Sequence, residues 1–223
     1  MKYLRKFDKA SDVMMFVTPN VVLVKDTGEI IYNTSSFGVY IQHIDGSLYT
    51  TGDWTARGYT GDDANGVAVM SEKARVVIAK TSSGTCAWSS SSNTLVDGIV
   101  TTSDKSIAST DYAGEENTAL ILQSDTHGAA YRCANFIFPN GAHGYLGAAA
   151  EWLAVFSYKT EVEAALTLIG GDALGSASQY WTSTQGEASM AWFIYSSNAG
   201  LNRSAKSYTP YKNTARAFTK VQI

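Results

Sequence analysis

The sequence predicts an α+β domain, rich in short antiparallel strands and carrying only a few helices. Three observations point there. β-prone runs bounded by Gly, Asn, Asp and Pro recur from Val13 to Val100. Apolar residues at helical spacing are confined to 114–169. Aromatic and branched residues return after Tyr180 with the alternation of a strand. At 223 residues the chain is long enough for one large domain, or a domain with a small appendage.

Residues 1–33 read as a short β arm ahead of a main domain at 34–223. Val13–Val17 and Val21–Val24 flank Thr18-Pro19-Asn20, and Asp26-Thr27-Gly28-Glu29 turns into Ile30-Ile31-Tyr32. The arm reads equally as an edge hairpin of the main domain and as a docking or oligomerisation element. Strands are expected at Val39–Ile41, Ser47–Tyr49, Val67–Met70 and Arg75–Ala79, with a tight turn at Ile44-Asp45-Gly46. Asp53, Asp62 and Asp63 lack the ordered ligand spacing and closing Glu of a calcium loop, so they read as a solvated loop. Residues 81–109 are rich in Ser and Thr and predict long loops with short strands at Leu95–Val96 and Gly98–Val100. Trp88 reads as their core anchor.

Within Gly114–Phe136 the run Ala119-Leu120-Ile121-Leu122 is followed by Ala129, Ala130, Cys133 and Phe136 at helical spacing, which places Cys133 on an apolar helix face, with Gly128 as an interruption or bend. Gly147–Tyr158 predicts a helix burying Ala149, Trp152, Leu153 and Phe156. Thr160 and Glu163 have capping-box spacing, and the helix they open ends at Gly170-Gly171.

Composition excludes several functions. Net charge is −3, so no basic field exists for nucleic acid or an anionic membrane. The N-terminus predicts no signal peptide, and nothing later predicts a membrane span. Two cysteines, Cys86 and Cys133, sit far apart; the sequence leaves a disulfide between them open, and the preferred reading is two buried free thiols of a protein made in a cytoplasm. His43, His127 and His143 are isolated, so neither a metal site nor a cofactor is expected. No Gly-x-Ser-x-Gly elbow or Ser/His/Asp set can be assembled, and the expectation is a protein without catalysis.

Residues 179–218 carry the clearest signal. Tyr180-Trp181-Thr182-Ser183-Thr184 opens the stretch and Ala215-Arg216-Ala217-Phe218 closes it, around a middle of Ser, Asn, Tyr, Thr and Gly. Ends held by a core and a chemically mixed middle suit a recognition surface. If Trp192 and Ile194 face the core, Phe193 and Tyr195 face outward.

Four elements, in order, carry a family resemblance. Asp111–Thr118 resembles a "G-x-x-NT" helix start, and Gly144-Tyr145-Leu146-Gly147-Ala148-Ala149-Ala150-Glu151-Trp152 resembles "GYLP-x-x-GEW". Ile169-Gly170-Gly171 followed by Tyr180–Thr184 resembles "IGG … YWSST". Over 111–218 the chain resembles the C-type-lectin-fold variable proteins diversified by retroelements, with Gly147 in place of Pro and Ala150 in place of Gly. The resemblance implies a C-type lectin fold, with two helices packed on twisted antiparallel sheet and long inserted loops. It implies a variable region at about 180–218, rewritten by adenine-directed mutagenesis of AAY codons. That code excludes Gln185, Glu187, Met190, Trp192, Lys206 and Lys212. It leaves Phe193, Tyr195, Ser197, Asn198, Leu201, Asn202, Arg203, Ser204, Tyr208, Tyr211 and Asn213 as ligand-contacting candidates. Trp152, Trp181, Trp192, Arg216 and Phe218 would be scaffold.

The implied protein is a non-catalytic receptor-binding adhesin of a phage tail tip or fibre, carried in the virion and made in the bacterial cytoplasm. Its partners would be a bacterial surface protein or glycan, and other tail proteins through the N-terminal arm. A homotrimer follows only by analogy with tail-tip relatives. Two rivals stand beside it. One is a structural or adhesive cell-surface, pilus-associated protein of a gut bacterium. The other is a formylglycine-generating-type enzyme, which needs a C-terminal cysteine pair, whereas no cysteine follows Cys133.

Overall fold

The computed structural model describes residues 37–90, 93–207 and 213–221, together with four strands within 1–36 through their backbone pairing. Those strands, β1 (Tyr3–Arg5), β2 (Met14–Val17), β3 (Val22–Val24) and β4 (Ile30–Tyr32), form an antiparallel meander in chain order. The turns expected around Pro19 and Gly28 lie outside the described residues.

The main body is α+β. Its strands are β5 (Gly38–His43), β6 (Leu48–Tyr49), β7 (Ala64–Met70), β8 (Arg75–Ile78), β9 (Thr85–Cys86), β10 (Tyr145–Leu146), β11 (Gln179–Glu187), β12 (Met190–Tyr195), β13 (Leu201–Ala205), β14 (Asn213–Thr214) and β15 (Ala217–Lys220). Six form one sheet in the order β10-β15-β8-β7-β5-β6, and five form a second in the order β13-β12-β11-β14-β9. All neighbours are antiparallel except β11 and β14, which run parallel.

The helices are α1 (Thr51–Ala56), α2 (Lys105–Ala108), α3 (Gly114–Ile121), α4 (Ala129–Ala134), α5 (Ala149–Ser157) and α6 (Lys159–Leu168). They cover both faces of the larger sheet, which is why all seven residues of β7 are buried. On one face Ile41, Val67, Val69, Val76 and Ile78 pack with Trp152, Val155 and Phe156 of α5 and Val162, Ala165 and Leu166 of α6. On the other, Tyr40, Ala68, Met70 and Val77 pack with Ile121 of α3 and Ala129, Ala130 and Cys133 of α4, beside Trp88.

The expected helix over 114–136 is two helices, and the break has a local cause. Asp125 accepts from His127 N at 2.9 Å and from Ser90 N and Oγ at 2.8 and 3.0 Å, tying the chain sideways instead of along a helix axis. At Gly128 a Cβ would lie 2.1 Å from the Trp88 carbonyl, so only glycine permits this approach.

Thr160 does not cap α6. The helix begins one residue earlier, at Lys159, and Glu163 Oε1 instead accepts from Gly175 N at 3.2 Å. Its C-terminus closes as read: Gly170 takes φ +67°, with Gly170 N bonded to Thr167 O and Gly171 N to Leu166 O, a Schellman turn. Asp53 lies in the first turn of α1, where its N–H donates to the Thr50 hydroxyl and its carboxylate accepts from it. The strands expected at 95–96 and 98–100 are absent. That segment is a loop pinned by a hydrogen bond from Val96 N to Gln185 Oε1 and another from Gln185 N to Val100 O.

Candidate recognition surface

Strands β11, β12 and β13 build a platform on the open edge of the five-stranded sheet. β12 pairs with β13 without interruption from Met190↔Ala205 to Ile194↔Leu201. β11 pairs with β12 at Gln179–Trp181, then shifts register before Gln185↔Ala191. The shift falls on Thr182-Ser183-Thr184, whose polar groups are thereby released from the ladder and bonded elsewhere.

These groups form a buried polar lattice. Asp111 Oδ2 accepts from Thr184 Oγ1 at 2.7 Å and from Asn117 Nδ2 at 3.0 Å. Asn117 also reaches Ser183 Oγ, and Ala149 N, at the start of α5, donates to Thr184 Oγ1 at 3.0 Å. Thr118 Oγ1 accepts from Leu146 N at 2.9 Å and donates to Gly114 O at 2.7 Å. Glu151, 1% exposed, accepts from Ala148 N, Tyr145 Oη and Lys220 Nζ, all within 3.0 Å. Burial raises its pKa, and the Lys220 ammonium opposes that rise.

Four indoles tie the lattice to the sheets. Trp152 Nε1 donates to Trp181 O, Trp181 to Cys86 O, Trp88 to Thr182 O and Trp192 to Thr102 O, at 2.7–3.1 Å. Trp152 also stacks on Tyr180 with centroids 4.6 Å apart and meets Phe218 edge-on at 4.8 Å. Arg216 is fully buried, its guanidinium donating to the carbonyls of Ala79, Lys80 and Asp172. Burial draws its pKa down, against the neighbouring Tyr180 and Asp172.

Lys206, excluded from the ligand-contacting set by its codon, lies beneath the platform. It is wholly buried. Its ammonium donates to Thr94 O and Gln185 Oε1 and sits 4.7 Å from the Trp88 ring centre, with no carboxylate bonded to it among the described residues. Burial lowers its pKa to about 8. Nothing in the local pattern of Arg203-Ser204-Ala205-Lys206 announces a buried cation.

The candidate contact residues separate into groups. Ser197, Asn198 and Asn202 are exposed, and Arg203 and Ser204 are half-buried beside them. Asn198 Oδ1 accepts from Gly200 N at 2.9 Å, and Ala199 holds φ 55°, a conformation that L residues rarely adopt. Arg203 lies 5.8 Å from the Trp192 ring centre and 3.5 Å from Glu187.

Phe193 requires correction. It does not face outward: it is 4% exposed, edge-on to Trp181 and to Tyr195, because a second core covers that face of β12. Tyr195 is half-buried at the margin of the same cluster. Leu201 packs in the α5–α6 core, and Asn213 is 3% exposed in β14, so neither presents a side chain to solvent. Tyr208 and Tyr211 lie outside the described residues. Trp152, Trp181, Trp192, Arg216 and Phe218 are each 3% exposed or less.

Among the described residues no group of His, Cys, Asp and Glu is arranged to hold a metal ion, and no helix is long and apolar enough to cross a membrane.

No family model and no curated protein matches the chain. Among solved structures it is similar to a fimbrial protein from Bacteroides ovatus, at 11% identity and a TM-score of 0.59, over 97% of this chain and 63% of that one. The chain thus spans less than two thirds of that protein's length, and the likeness is one of fold.

Proposed function

We propose that the chain is a non-catalytic, adhesive component of a bacterial surface structure of the fimbrial type. Its recognition surface would be the β12–β13 turn and the outer edge of β13. The observation that carries this reading is the contrast across strands β11 to β13. Trp181, Trp192 and Phe193 are fixed in two cores, while Ser197, Asn198 and Asn202 stand in solvent a few residues away. Small polar side chains on a rigid platform suit adaptable hydrogen bonding to a protein or glycan, with Arg203 and Tyr195 as larger contacts. The likeness of fold to a fimbrial protein supports surface display. Many copies on one appendage would raise weak single-site affinity through avidity.

A second reading keeps the same surface on a retroelement-diversified, C-type-lectin-fold protein of a phage tail. It is favoured by the way three of the four sequence elements interlock: Asn117 reaches Ser183 directly and Thr184 through Asp111, Thr118 accepts from Leu146 N, Ala149 N donates to Thr184, and Trp152 donates to Trp181 O. Antibody against the folded chain separates the two. Labelling of intact, unlysed cells supports the fimbrial reading. Labelling only after lysis, with the antigen in particle fractions, overturns it in favour of the phage reading.

A further inference from the structure

We infer, resting on that adhesive reading, that the loop at 94–107 completes the recognition surface and that the partner it fits is a protein with apolar side chains of its own, not a glycan. Leu95 is 50% exposed, Val100 38% and Ile107 50%. Of the seven large apolar side chains that stand out this far among the described residues, three thus fall within 95–107, a concentration that singly scattered surface residues do not show.

The backbone around these side chains is pinned to the recognition strands. Thr94 O accepts from Lys206 Nζ at 2.8 Å, and Val96 N donates to Gln185 Oε1 at 3.0 Å, so Leu95 sits between two anchored neighbours. Val100 O accepts from Gln185 N at 3.2 Å, and Thr102 N donates to Gln185 O at 3.0 Å. Gln185 of β11 therefore holds the loop both at Val96 and at Val100. Thr102 O accepts from Trp192 Nε1 at 2.8 Å, and Arg203 of the recognition surface lies over that same indole, 5.8 Å from its centre. Asp104 then caps α2 by accepting from Ser106 N at 2.8 Å, and on that helix Ala108 is buried while Ile107 is not. Leu95 and Val100 cannot retreat into a core without breaking these hydrogen bonds. The loop is continuous, through Thr102 and Trp192, with the side of β13 that carries Arg203.

The chemistry of the side chains selects the partner. A glycan presents hydroxyls over most of its surface, and aliphatic groups pressed against them would leave them dry and unbonded, at a cost. The large rings at this face are not open for stacking either: Arg203 lies over Trp192 and Lys206 over Trp88, and Phe193 is buried. A protein offers apolar side chains that Leu95, Val100 and Ile107 can match. The exposed Asp97, Asp104 and Lys105 between them supply the polar groups that a protein interface carries at its rim.

The test uses beads coated with the full chain and bacterial cells that bind them. Protease shaving of the cells should abolish wild-type attachment, and periodate oxidation of their glycans should leave it unchanged. Attachment that survives protease, or that is lost after periodate, would overturn the inference. These arms need no variant. Leu95→Ser, Val100→Ser and Ile107→Ser, combined in one chain, should keep the thermal midpoint within a few degrees, because all three side chains are exposed. Attachment of that variant should fall at least tenfold. Undiminished attachment by the folded triple variant would overturn the role of the loop. A variant with Ser197, Asn198, Asn202 and Arg203 all replaced by alanine separates the two readings. If it fails to attach while the triple variant attaches, the loop assignment is wrong and the adhesive surface stands. If both attach as wild type does, the adhesive surface itself is misplaced.

Discussion

Lys206→Met tests whether the buried cation beneath the platform behaves as its surroundings dictate. In the folded chain the Lys206 pKa falls from 10.5 to about 8, because burial penalises the ammonium. Between those values the unfolded chain holds a proton that the folded chain has released. Stability attributable to this group therefore rises with pH across that window, and the penalty is fully present below about pH 8. Its size is about 3 kcal/mol. Methionine has nearly the same length and carries no charge. It removes the penalty but also the hydrogen bonds to Thr94 O and Gln185 Oε1, a loss of roughly 1–2 kcal/mol. The variant should be the more stable protein at pH 7 by about 1–2 kcal/mol, and the less stable at pH 10.5. The assay is urea unfolding of both proteins across that range at constant ionic strength, read as the difference in ΔG. Taking the difference cancels groups that titrate in both chains, Cys133 and the buried tyrosines among them. A difference flat within about 0.5 kcal/mol would refute the reasoning.

Three further outcomes follow from the packing. Asp111→Ala removes the acceptor for Thr184 Oγ1, Asn117 Nδ2 and Ala113 N, and should cost about 3–5 kcal/mol, seen as a fall of roughly 10 °C in calorimetry. Phe193→Ala, in the second core, should cost about 3–5 kcal/mol, whereas Asn198→Ala should stay near 0.5 kcal/mol; equal effects in denaturant titrations would contradict the assigned burial. Burial holds the folded-state pKa of Glu151 above 4.5, so the folded chain keeps a proton that the unfolded chain has lost, and stability falls as pH rises through that window. Glu151→Gln should flatten this fall, and acid titrations of the two proteins that superimpose would contradict it.

Much of the architecture is legible where a pattern is long or its chemistry is local. Arg75–Ile78 and the Gly170-Gly171 helix stop follow from a branched apolar run and from glycine's access to positive φ. Short helices are not legible: α1 and α2 have too few residues to show a period, and their only signals are the caps Thr50 and Asp104. Alternation alone points Phe193 outward, and it assumes that one face of the strand meets water. The run Ala191-Trp192-Phe193-Ile194-Tyr195 is apolar at every position, the mark of a strand covered on both faces. That continuous run was the signal available. The covering residues, Trp88, Ile121 and Cys133 among them, come from segments far away in sequence. Lys206 is invisible for the same reason, since Thr94, Gln185 and Trp88 meet it only through the fold.

We propose that side chains of the β12–β13 turn and of the outer edge of β13 can change while the two cores hold, and that these side chains decide what the chain attaches to. The direct measurement replaces Ser197, Asn198, Asn202 and Arg203 together by alanine, then records thermal unfolding and attachment of chain-coated beads to bacterial cells that bind the wild type. The account predicts a midpoint within a few degrees of wild type and loss of attachment. Attachment retained by the folded quadruple variant would contradict it.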